Sequence, residues 1–269
     1  MSGDVPAPIS RSSLAKVPGT LGRIALERHE DSLNSEFSPV QASGASFAEA
    51  LRSDGLRIIA EIKRSSPSQG SIAPLEPAET AVSYAAAGAS CLSVLTEPRH
   101  FGGELAHLEQ VRAATDLPLL RKDFTVHPQQ MAEAAAAGAS AVLLIVAILG
   151  DSTAAYLQLA RSLGLDALVE VHSRPELDIA LAADADIIGI NNRDLRSLEI
   201  DLATAPTLGR EARERGYGGI LVAESGYRTA DELRSVRDFA DAALIGTSLA
   251  GSGDPGAALA RLIGDLNAA

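Results

Sequence analysis

Charged side chains stand at the ends of several apolar, strand-like runs of this chain. Three of these runs carry a carboxylate at or near their end, and the first two also carry a lysine: residues 58–64, 119–124 and 168–172. Removing a charge from water at the inner end of a buried strand is costly, so a chain seldom keeps one there without a use. Lysines and carboxylates that share a pocket acquire shifted pKa values and act as general acids and bases near neutral pH. The run ends therefore predict acid–base catalysis.

Alternation along a strand decides which of these charges face inward. In the first run Glu61 and Lys63 share one face, and the positions between them are apolar and suit contact with helices. The same alternation turns further polar groups inward on other runs: Lys122, Glu170, Asn191 with Arg193, and Glu224. One inward charge is as often a structural ion pair as a functional group. Five runs that each carry one favour an active site.

The elements that must position these groups alternate regularly from residue 57 onward. Eight candidate strands cover 57–63, 91–96, 118–123, 141–147, 167–171, 187–191, 219–223 and 242–246, and an Ala-rich helical segment follows each one. This order predicts a (β/α)8 barrel, in which the carboxyl ends of all strands meet at one face. An open, doubly wound sheet is the structural alternative.

The first 55 residues lie outside this alternation. Residues 1–20 are rich in Pro, Ser and Gly and predict a flexible leader, and helical patterns follow at 21–33 and 47–51. We therefore expect an N-terminal helical extension over 1–55 and a barrel domain over 56–269.

Two short segments after the last strands are typical of phosphate binding. Ser225 and Gly226 follow the seventh strand, and Gly246 and Thr247 follow the eighth. Barrels often hold phosphate with backbone N–H groups of these two loops, and glycine allows close backbone approach. Ordinary turns are the alternative. The polar loop 65–70 after the first strand could act as a lid or be an exposed connection.

Composition limits the classes of partner. The formal net charge of −12 argues against nucleic acid and anionic membranes as general partners, but not against a small anionic substrate held by local cations. The opening residues lack the apolar segment of a signal peptide, and the longest apolar stretch, 139–149, is too short to span a bilayer. A soluble, cytoplasmic protein is expected, as a monomer or weak homo-oligomer. His100 and His107 are expected at the surface, and no metal site is predicted.

Six motifs in order make the chain resemble the indole-3-glycerol phosphate synthases of tryptophan biosynthesis. They are IAEIKRSSPS at 59–68, LSVLTE at 92–97, LRKDF at 120–124, LVEVH at 168–172, GINNRDL at 189–195 and ESG at 224–226. The resemblance implies 1-(2-carboxyphenylamino)-1-deoxyribulose 5-phosphate as substrate. It implies ring closure, loss of carbon dioxide and loss of water, without cofactor or metal.

The resemblance also implies catalytic roles, residue by residue. Lys122 matches the general acid that protonates the ketone oxygen during ring closure. Glu61 and Glu170 match carboxylates that handle protons during dehydration. Lys63 matches a lysine near the substrate carboxylate and phosphate, which is also an acid candidate in dehydration.

Further residues match the substrate-binding parts of the family. Asn191 matches a residue that orients substrate and catalytic groups, and Glu224 matches a further active-site carboxylate. Phe124 is implied as a wall for the anthranilate ring, and Ser66 lies in the first mobile loop. The phosphate-binding region is matched by Arg193, Ser225, Gly226, Gly246 and Thr247.

Some positions depart from the family pattern, and other functions stay open. Residues 21–28 lack the expected lysines, Gln69 stands where a basic residue is common, and His100 replaces a frequent aromatic residue. A related phosphate-binding barrel, such as a phosphoribosylanthranilate isomerase-like or tryptophan synthase α-like protein, is an enzymatic alternative. A non-catalytic barrel that binds a sugar phosphate is another, and a specialised biosynthetic copy of the synthase is a third.

Overall fold

Eight parallel strands form a closed barrel in the computed structural model, which describes residues 5–67, 70–72 and 75–268. We label the barrel strands in chain order: β1 Arg57–Ile62, β2 Cys91–Leu95, β3 Leu119–Lys122, β4 Ala141–Ile145, β5 Asp166–Val171, β6 Ile187–Asn191, β7 Ile220–Glu224 and β8 Ala242–Ile245. Every boundary lies within two residues of its predicted position.

Strand order and closure confirm the predicted (β/α)8 barrel. Each strand pairs in parallel with the next along the chain, and β8 closes on β1 with Arg57 beside Ala242 and Ala60 beside Ile245. A doubly wound sheet would keep two open edges, so the closure excludes that alternative. The carboxyl ends of all eight strands therefore surround one mouth.

Helices follow the strands as the Ala-rich pattern predicts. They span Pro77–Ala86, Leu105–Ala114, Gln129–Ala136, Thr153–Ser162, Arg174–Ala182, Thr204–Glu214, Ala230–Arg234 and Pro255–Asn267. Shorter helical turns lie in the loops at Pro98–Phe101, Val146–Leu149, Gly150–Ser152 and Thr247–Ala250. Gly88 and Gly138 follow the ends of two of these helices by two residues. Their φ angles of +95° and +84° suit glycine, which the repeated AAAGAS segments supply at both positions.

Aliphatic side chains fill both sides of the barrel wall. All five residues of β4 are buried, as are all five of β2, including Cys91. Strands covered on both faces need continuous apolar runs, and the chain supplies them from Ala, Val, Leu and Ile. Cys91 is thus a small, fully buried core residue.

The N-terminal residues pack on the barrel over more of their length than a flexible leader implies. Helices cover Arg11–Leu14, Gly19–Asp31 and Phe47–Leu51. Leu14 is fully buried, and the backbone N–H of Ile9 donates to the carbonyl of Val126 at 2.8 Å. The apolar positions of the leader, hidden among prolines and serines, supply this packing. The division of the chain near residue 55 remains a prediction.

An ion pair ties the N-terminal extension to the mouth of the barrel. The Arg28 guanidinium donates two hydrogen bonds of 3.0 Å to the two carboxylate oxygens of Asp123, directly after β3. Asp123 also accepts hydrogen bonds from Thr96 and Arg121. Burial opposes the charge of Asp123, but Arg121 and Arg28 hold its pKa below the usual range. The extension therefore helps to position the end of β3, where Lys122 lies.

The two histidines that the sequence predicted at the surface are both less exposed than expected. His107 is buried and its ring lies 3.4 Å from the guanidinium of Arg64, so the surface prediction for His107 was wrong. His100 is partly buried, and its Nε2 lies 2.6 Å from a carboxylate oxygen of Glu27 in the extension. Packing by the extension and by the chain after β1 covers positions that look exposed from the sequence.

No helix among the described residues is both long enough and apolar enough to cross a membrane.

Candidate active site

All six residues predicted to be catalytic line one cavity at the mouth of the barrel. They are Glu61, Lys63, Lys122, Glu170, Asn191 and Glu224. Each lies at or within one residue of the carboxyl end of its strand, because alternation turns these positions inward and the parallel order brings the ends together. The predicted convergence is therefore present in the tertiary structure.

Lys122 lies between two carboxylates that come from other strands. Its Nζ donates to Glu224 Oε2 at 2.9 Å and lies 3.4 Å from Glu170 Oε2. Both carboxylate side chains are only 1% exposed. Burial opposes the lysine charge, but the charges of Glu224 and Glu170 outweigh it and raise the pKa of Lys122. The lysine is therefore held as a cation in the resting site.

The two carboxyl groups beside Lys122 have pKa values shifted in opposite directions. Burial raises the pKa of Glu224 to about 7; Lys122 opposes this shift, and the nearby charge of Glu170 adds to it. Burial also disfavours the charge of Glu170, but Lys122 and then His172 hold its pKa well below the usual range. Neighbouring carboxyl groups with opposite shifts can serve as proton carrier and fixed anion in one site.

A second lysine–carboxylate pair lies on β1 and in the loop that follows it. Lys63 Nζ is 3.5 Å from Glu61 Oε1, and the hydroxyl of Ser93 donates to Glu61 Oε2 at 3.3 Å. Burial lowers the pKa of Lys63; Glu61 opposes this shift, and the charges of Lys122 and Arg193 add to it. The two lysines of the site thus have opposite pKa shifts: Lys122 is protonated at rest, and Lys63 releases its proton more readily than a free amine does.

Two phenylalanines form an aromatic wall on one side of the cavity. The rings of Phe101 and Phe124 lie 6.0 Å apart with a tilt of 38°. Lys63 Nζ lies 5.6 Å from the centre of the Phe101 ring, within the range of a cation–π contact. Phe124 was predicted here from the sequence, whereas Phe101 was not, because it comes from a loop helix that the strand pattern does not place. The wall suits a flat aromatic group.

The residues expected to bind phosphate line an adjoining cavity. It is bordered by Arg193, Ser225, Gly226, Gly246 and Thr247. The residues that line both this cavity and the catalytic one are Glu61, Lys63, Arg193, Ser225 and Leu244. Ser225 and Gly226 have φ angles of +65° and +95°, and a non-glycine residue in this region is strained and more frequent at functional sites. The side chain of Ser66 lies outside the part of the chain that the structure describes.

Asn191 shapes the backbone between the two cavities. Its side-chain oxygen accepts a 2.9 Å hydrogen bond from the backbone N–H of Arg193, whose guanidinium donates to the carbonyl of Leu198 at 2.9 Å. Asn191 also lies beside Glu224 in the β6–β7 register. The asparagine therefore orients the turn that carries Arg193 toward the phosphate side.

Glycine at two positions makes room for the catalytic carboxylates. A Cβ at Gly189 in β6 would overlap Glu224 Oε1, and a Cβ at Gly246 would lie 2.5 Å from Glu61 Oε1. Neither role was predicted from the sequence. Gly189 lies two residues before Asn191 and therefore shares the inward face of β6 with it, which is the sequence feature that could have revealed its role. Ser93 was missed in the same way on β2.

Replacement of Gly189 by alanine is expected to lower kcat by ~10²-fold, because the new methyl group displaces the Glu224 carboxylate from Lys122. Gly264→Ala is the matched control, since a Cβ there meets no atom within 4 Å. Steady-state kinetics and thermal melting of both variants check this. Equal kcat values for Gly189→Ala and the control would show that Glu224 tolerates displacement.

Lysine is scarce in this chain, and its distribution is informative. The sequence contains three lysines, Lys16, Lys63 and Lys122, and two of them lie in the catalytic cavity. Arginine supplies the other cations, including those of most surface ion pairs. A primary amine, unlike a guanidinium, changes protonation near neutral pH when its surroundings shift its pKa. The lysine count is a further sequence signal for the site.

A wider groove, of about 820 Å³, lies between the N-terminal segment and the loop after β4. It is lined mainly by proline, serine and aliphatic residues, and it does not contain the paired lysines and carboxylates. Size alone does not make a catalytic site, so the chemistry assigns that role to the mouth of the barrel. Among the described residues, no group of three or more His, Cys, Asp or Glu side chains is arranged to hold a metal ion.

The fold and the site together define a (β/α)8-barrel protein with a cluster of lysines and carboxylates in the cavity at its mouth. The sequence model of the indole-3-glycerol phosphate synthase family matches residues 18–262. An indole-3-glycerol phosphate synthase of Deinococcus radiodurans is 53% identical, over 94% of this chain and 98% of the relative. An indole-3-glycerol phosphate synthase 2 of Streptomyces coelicolor is 44% identical, over 93% and 97%. The chain belongs to the indole-3-glycerol phosphate synthase family.

Solved structures of distant sequence share the barrel. A 3-hexulose-6-phosphate synthase is similar with a TM-score of 0.61 at 17% identity, covering 78% of this chain and 100% of that one. A tryptophan synthase alpha chain from Legionella pneumophila has a TM-score of 0.59 at 14% identity, covering 81% and 94%. At these identities the likeness concerns the fold alone.

Proposed function

We propose that this chain converts 1-(2-carboxyphenylamino)-1-deoxyribulose 5-phosphate to indole-3-glycerol phosphate, with release of carbon dioxide and water. This proposal rests mainly on the position of Lys122 between Glu170 and Glu224, in the same cavity as the Lys63–Glu61 pair. Family membership supports the substrate and the reaction.

Ring closure depends on Lys122. As the aryl carbon bonds to the ketone carbon, negative charge develops on the ketone oxygen. A cation held in a buried site stabilises this charge and donates its proton to the oxygen. Glu224 and Glu170 keep Lys122 protonated until the substrate needs the proton. The aryl ring loses its aromaticity in this step, and positive charge falls on the adjoining nitrogen.

Decarboxylation then follows from the intermediate itself. The bond to the carboxylate breaks, carbon dioxide leaves, and the electron pair restores the aromatic ring while neutralising the nitrogen. This step needs an electron sink, which the cationic nitrogen supplies. The protein has only to hold the ring, and the Phe101–Phe124 wall is positioned to do so.

Dehydration needs an acid for the leaving hydroxyl and a base for the carbon-bound proton. The lowered pKa of Lys63 suits it to release a proton to the hydroxyl. Glu170, kept ionised, is the base that removes the proton. After water has left, Glu61, 3.5 Å from Lys63, takes a proton from solvent and passes it to the neutral amine, which restores the ammonium ion. Loss of water completes the double bond of the indole.

Binding of the substrate phosphate is assigned to the cavity that adjoins the catalytic one. Arg193 and Lys63 border both cavities, and Gly226 and Gly246, in the loops after β7 and β8, line the adjoining one. These local cations counter the net charge of −12 that the whole chain carries. We extend the proposal to an enzyme of the cytoplasm that works as a monomer or weak homo-oligomer.

Indole fluorescence on mixing purified protein with the carboxyphenylamino-deoxyribulose phosphate tests the proposal. The chain contains no tryptophan, so an indole signal comes from product. A fluorescence rise that scales with enzyme concentration is expected. Tight binding of the compound without any rise would instead favour the non-catalytic barrel, and turnover of a different sugar phosphate would favour a related isomerase or lyase.

A further inference from the structure

His172 lies directly behind the catalytic cavity and bridges two carboxylates. Its Nε2 is 3.3 Å from Glu170 Oε1, and its Nδ1 is 3.1 Å from Glu176 Oε2. The backbone N–H of His172 donates to the same Glu176 oxygen at 2.7 Å. The imidazole side chain is 6% exposed. Glu176, in the helix Arg174–Ala182, therefore fixes both the ring and the backbone of His172.

Glu170 depends on this histidine because its other contacts are few. The residue is fully buried, and neither carboxylate oxygen has an aligned hydrogen bond among the described residues. One oxygen lies near Lys122 and the other near His172, at 3.4 Å and 3.3 Å. The side chain of Asn191 also favours the ionised form of Glu170, but it carries no charge, so the compensating positive charge comes from Lys122 and His172. Lys122 alone cannot fulfil this role, since it also pairs with Glu224.

We infer that His172 is a positioning residue, an imidazolium held by Glu176 that keeps the Glu170 carboxylate ionised and aligned toward Lys122 and the substrate. This inference rests on the proposed role of Glu170 as a base in dehydration. Negative and positive side chains then alternate in a chain of contacts that leads from the helix Arg174–Ala182 into the cavity: Glu176, His172, Glu170 and Lys122.

The charges around His172 favour its protonated form. Burial opposes the charge, but Glu170 and Glu176 outweigh it and raise the pKa of His172 to about 10. Asp194, in the loop after β6, adds a more distant negative charge that interacts with His172. Arg196 in that loop pairs with Asp194 and lies near enough to Glu176 to interact with it, so it tempers but does not cancel the negative surroundings.

Removal of the imidazolium has a defined consequence for pH dependence. The ionised form of Glu170 is the active one, so kcat/KM falls as pH drops through its pKa. His172→Gln keeps a hydrogen-bond donor but removes the charge, so the pKa of Glu170 rises by ~1 unit or more. In the wild type this fall lies at low pH, because the pKa of Glu170 is far below the usual carboxyl range, and the protonation of Glu224 near pH 7 is common to both proteins. In His172→Gln the limb that belongs to Glu170 is expected at least ~1 pH unit higher, so the ratio of wild-type to variant kcat/KM should be largest at low pH and shrink as pH rises.

His127→Gln is the matched control for this measurement. His127 is also a buried histidine, but its Nδ1 accepts a hydrogen bond from the backbone N–H of Gln129, and burial lowers its pKa. His127→Gln therefore measures how far the loss of a buried histidine ring destabilises the protein without removing a positive charge. The control should leave the acid limb at its wild-type position. An acid limb of His172→Gln that coincides with wild type would overturn the inference.

A second readout works without turnover. In ¹⁵N-histidine NMR of the wild-type protein at pH 8, His172 should carry protons on both ring nitrogens, assigned by loss of its signals in His172→Gln. In Glu176→Gln the same ring should lose a proton at lower pH. A neutral His172 ring at pH 8 in the wild type would refute the inference even if the synthase reaction proceeds. Absence of turnover with a protonated ring would refute the proposed function alone.

Discussion

Replacement of Lys122 by alanine lowers the rate of ring closure by at least ~10³-fold while the barrel stays folded. The variant loses the proton donor and the cation that stabilises charge on the ketone oxygen. Glu170 keeps His172 as a partner at 3.3 Å. Glu224 loses its cation, but burial has already raised its pKa to about 7, so it takes up a proton instead of remaining a bare buried charge. We therefore expect Lys122→Ala to fold normally and to lose catalysis.

Parallel assays of carbon dioxide release and indole fluorescence check this expectation. Both signals should fall together in Lys122→Ala, because ring closure precedes decarboxylation. Lys16→Ala is the matched control, since Lys16 is the exposed third lysine of the chain and lies in the N-terminal segment. A Lys122→Ala protein with native circular dichroism and near-wild-type turnover would remove Lys122 from the role of general acid.

Replacement of Glu170 by glutamine lowers indole formation by at least ~10²-fold, the scale for loss of a base. Lys122 retains its 2.9 Å contact with Glu224, and His172 retains Glu176, so ring closure and decarboxylation continue in the variant. Carbon dioxide release is therefore expected to outrun indole fluorescence. This separation of the two signals distinguishes Glu170 from Lys122, whose loss stops both.

Rapid-quench measurement of a single turnover is the sharpest form of this test. A decarboxylated but still hydroxylated intermediate should accumulate with Glu170→Gln and not with the wild type. Glu109→Gln, an exposed glutamate on the helix Leu105–Ala114, is the control for the substitution itself. Indole appearing in step with carbon dioxide at the wild-type rate would reassign Glu170 to a structural role beside His172.

The inward position of each catalytic group could be predicted from the sequence, because it depends on backbone geometry that is local. Side chains of a strand alternate between its two faces, so Glu61 and Glu170 point inward whatever the rest of the chain does. The strict order of strands and helices predicted the barrel, and parallel closure then brings the strand ends to one mouth. These inferences require no knowledge of distances between side chains or of which side chains pair.

The contacts between catalytic groups needed the tertiary structure. Lys122 and Glu224 are 102 residues apart, and their 2.9 Å contact depends on how strands meet across the barrel interior. The pKa directions follow from those contacts and from burial, so no local pattern separates Glu170 from Glu224. The role of Gly189 is likewise invisible until the Glu224 side chain is placed against it.

Sequence by itself thus determined the barrel, its strand boundaries to within two residues and the six charged and amide side chains, Glu61, Lys63, Lys122, Glu170, Asn191 and Glu224, that meet at its mouth. Only the tertiary structure decided which of them pair, that Arg28 of the extension anchors Asp123, and that His172 stands behind Glu170. The physical reason is range. Alternation and helix periodicity arise within a few residues, whereas ion pairs in a closed barrel join strands that the chain separates by whole βα units.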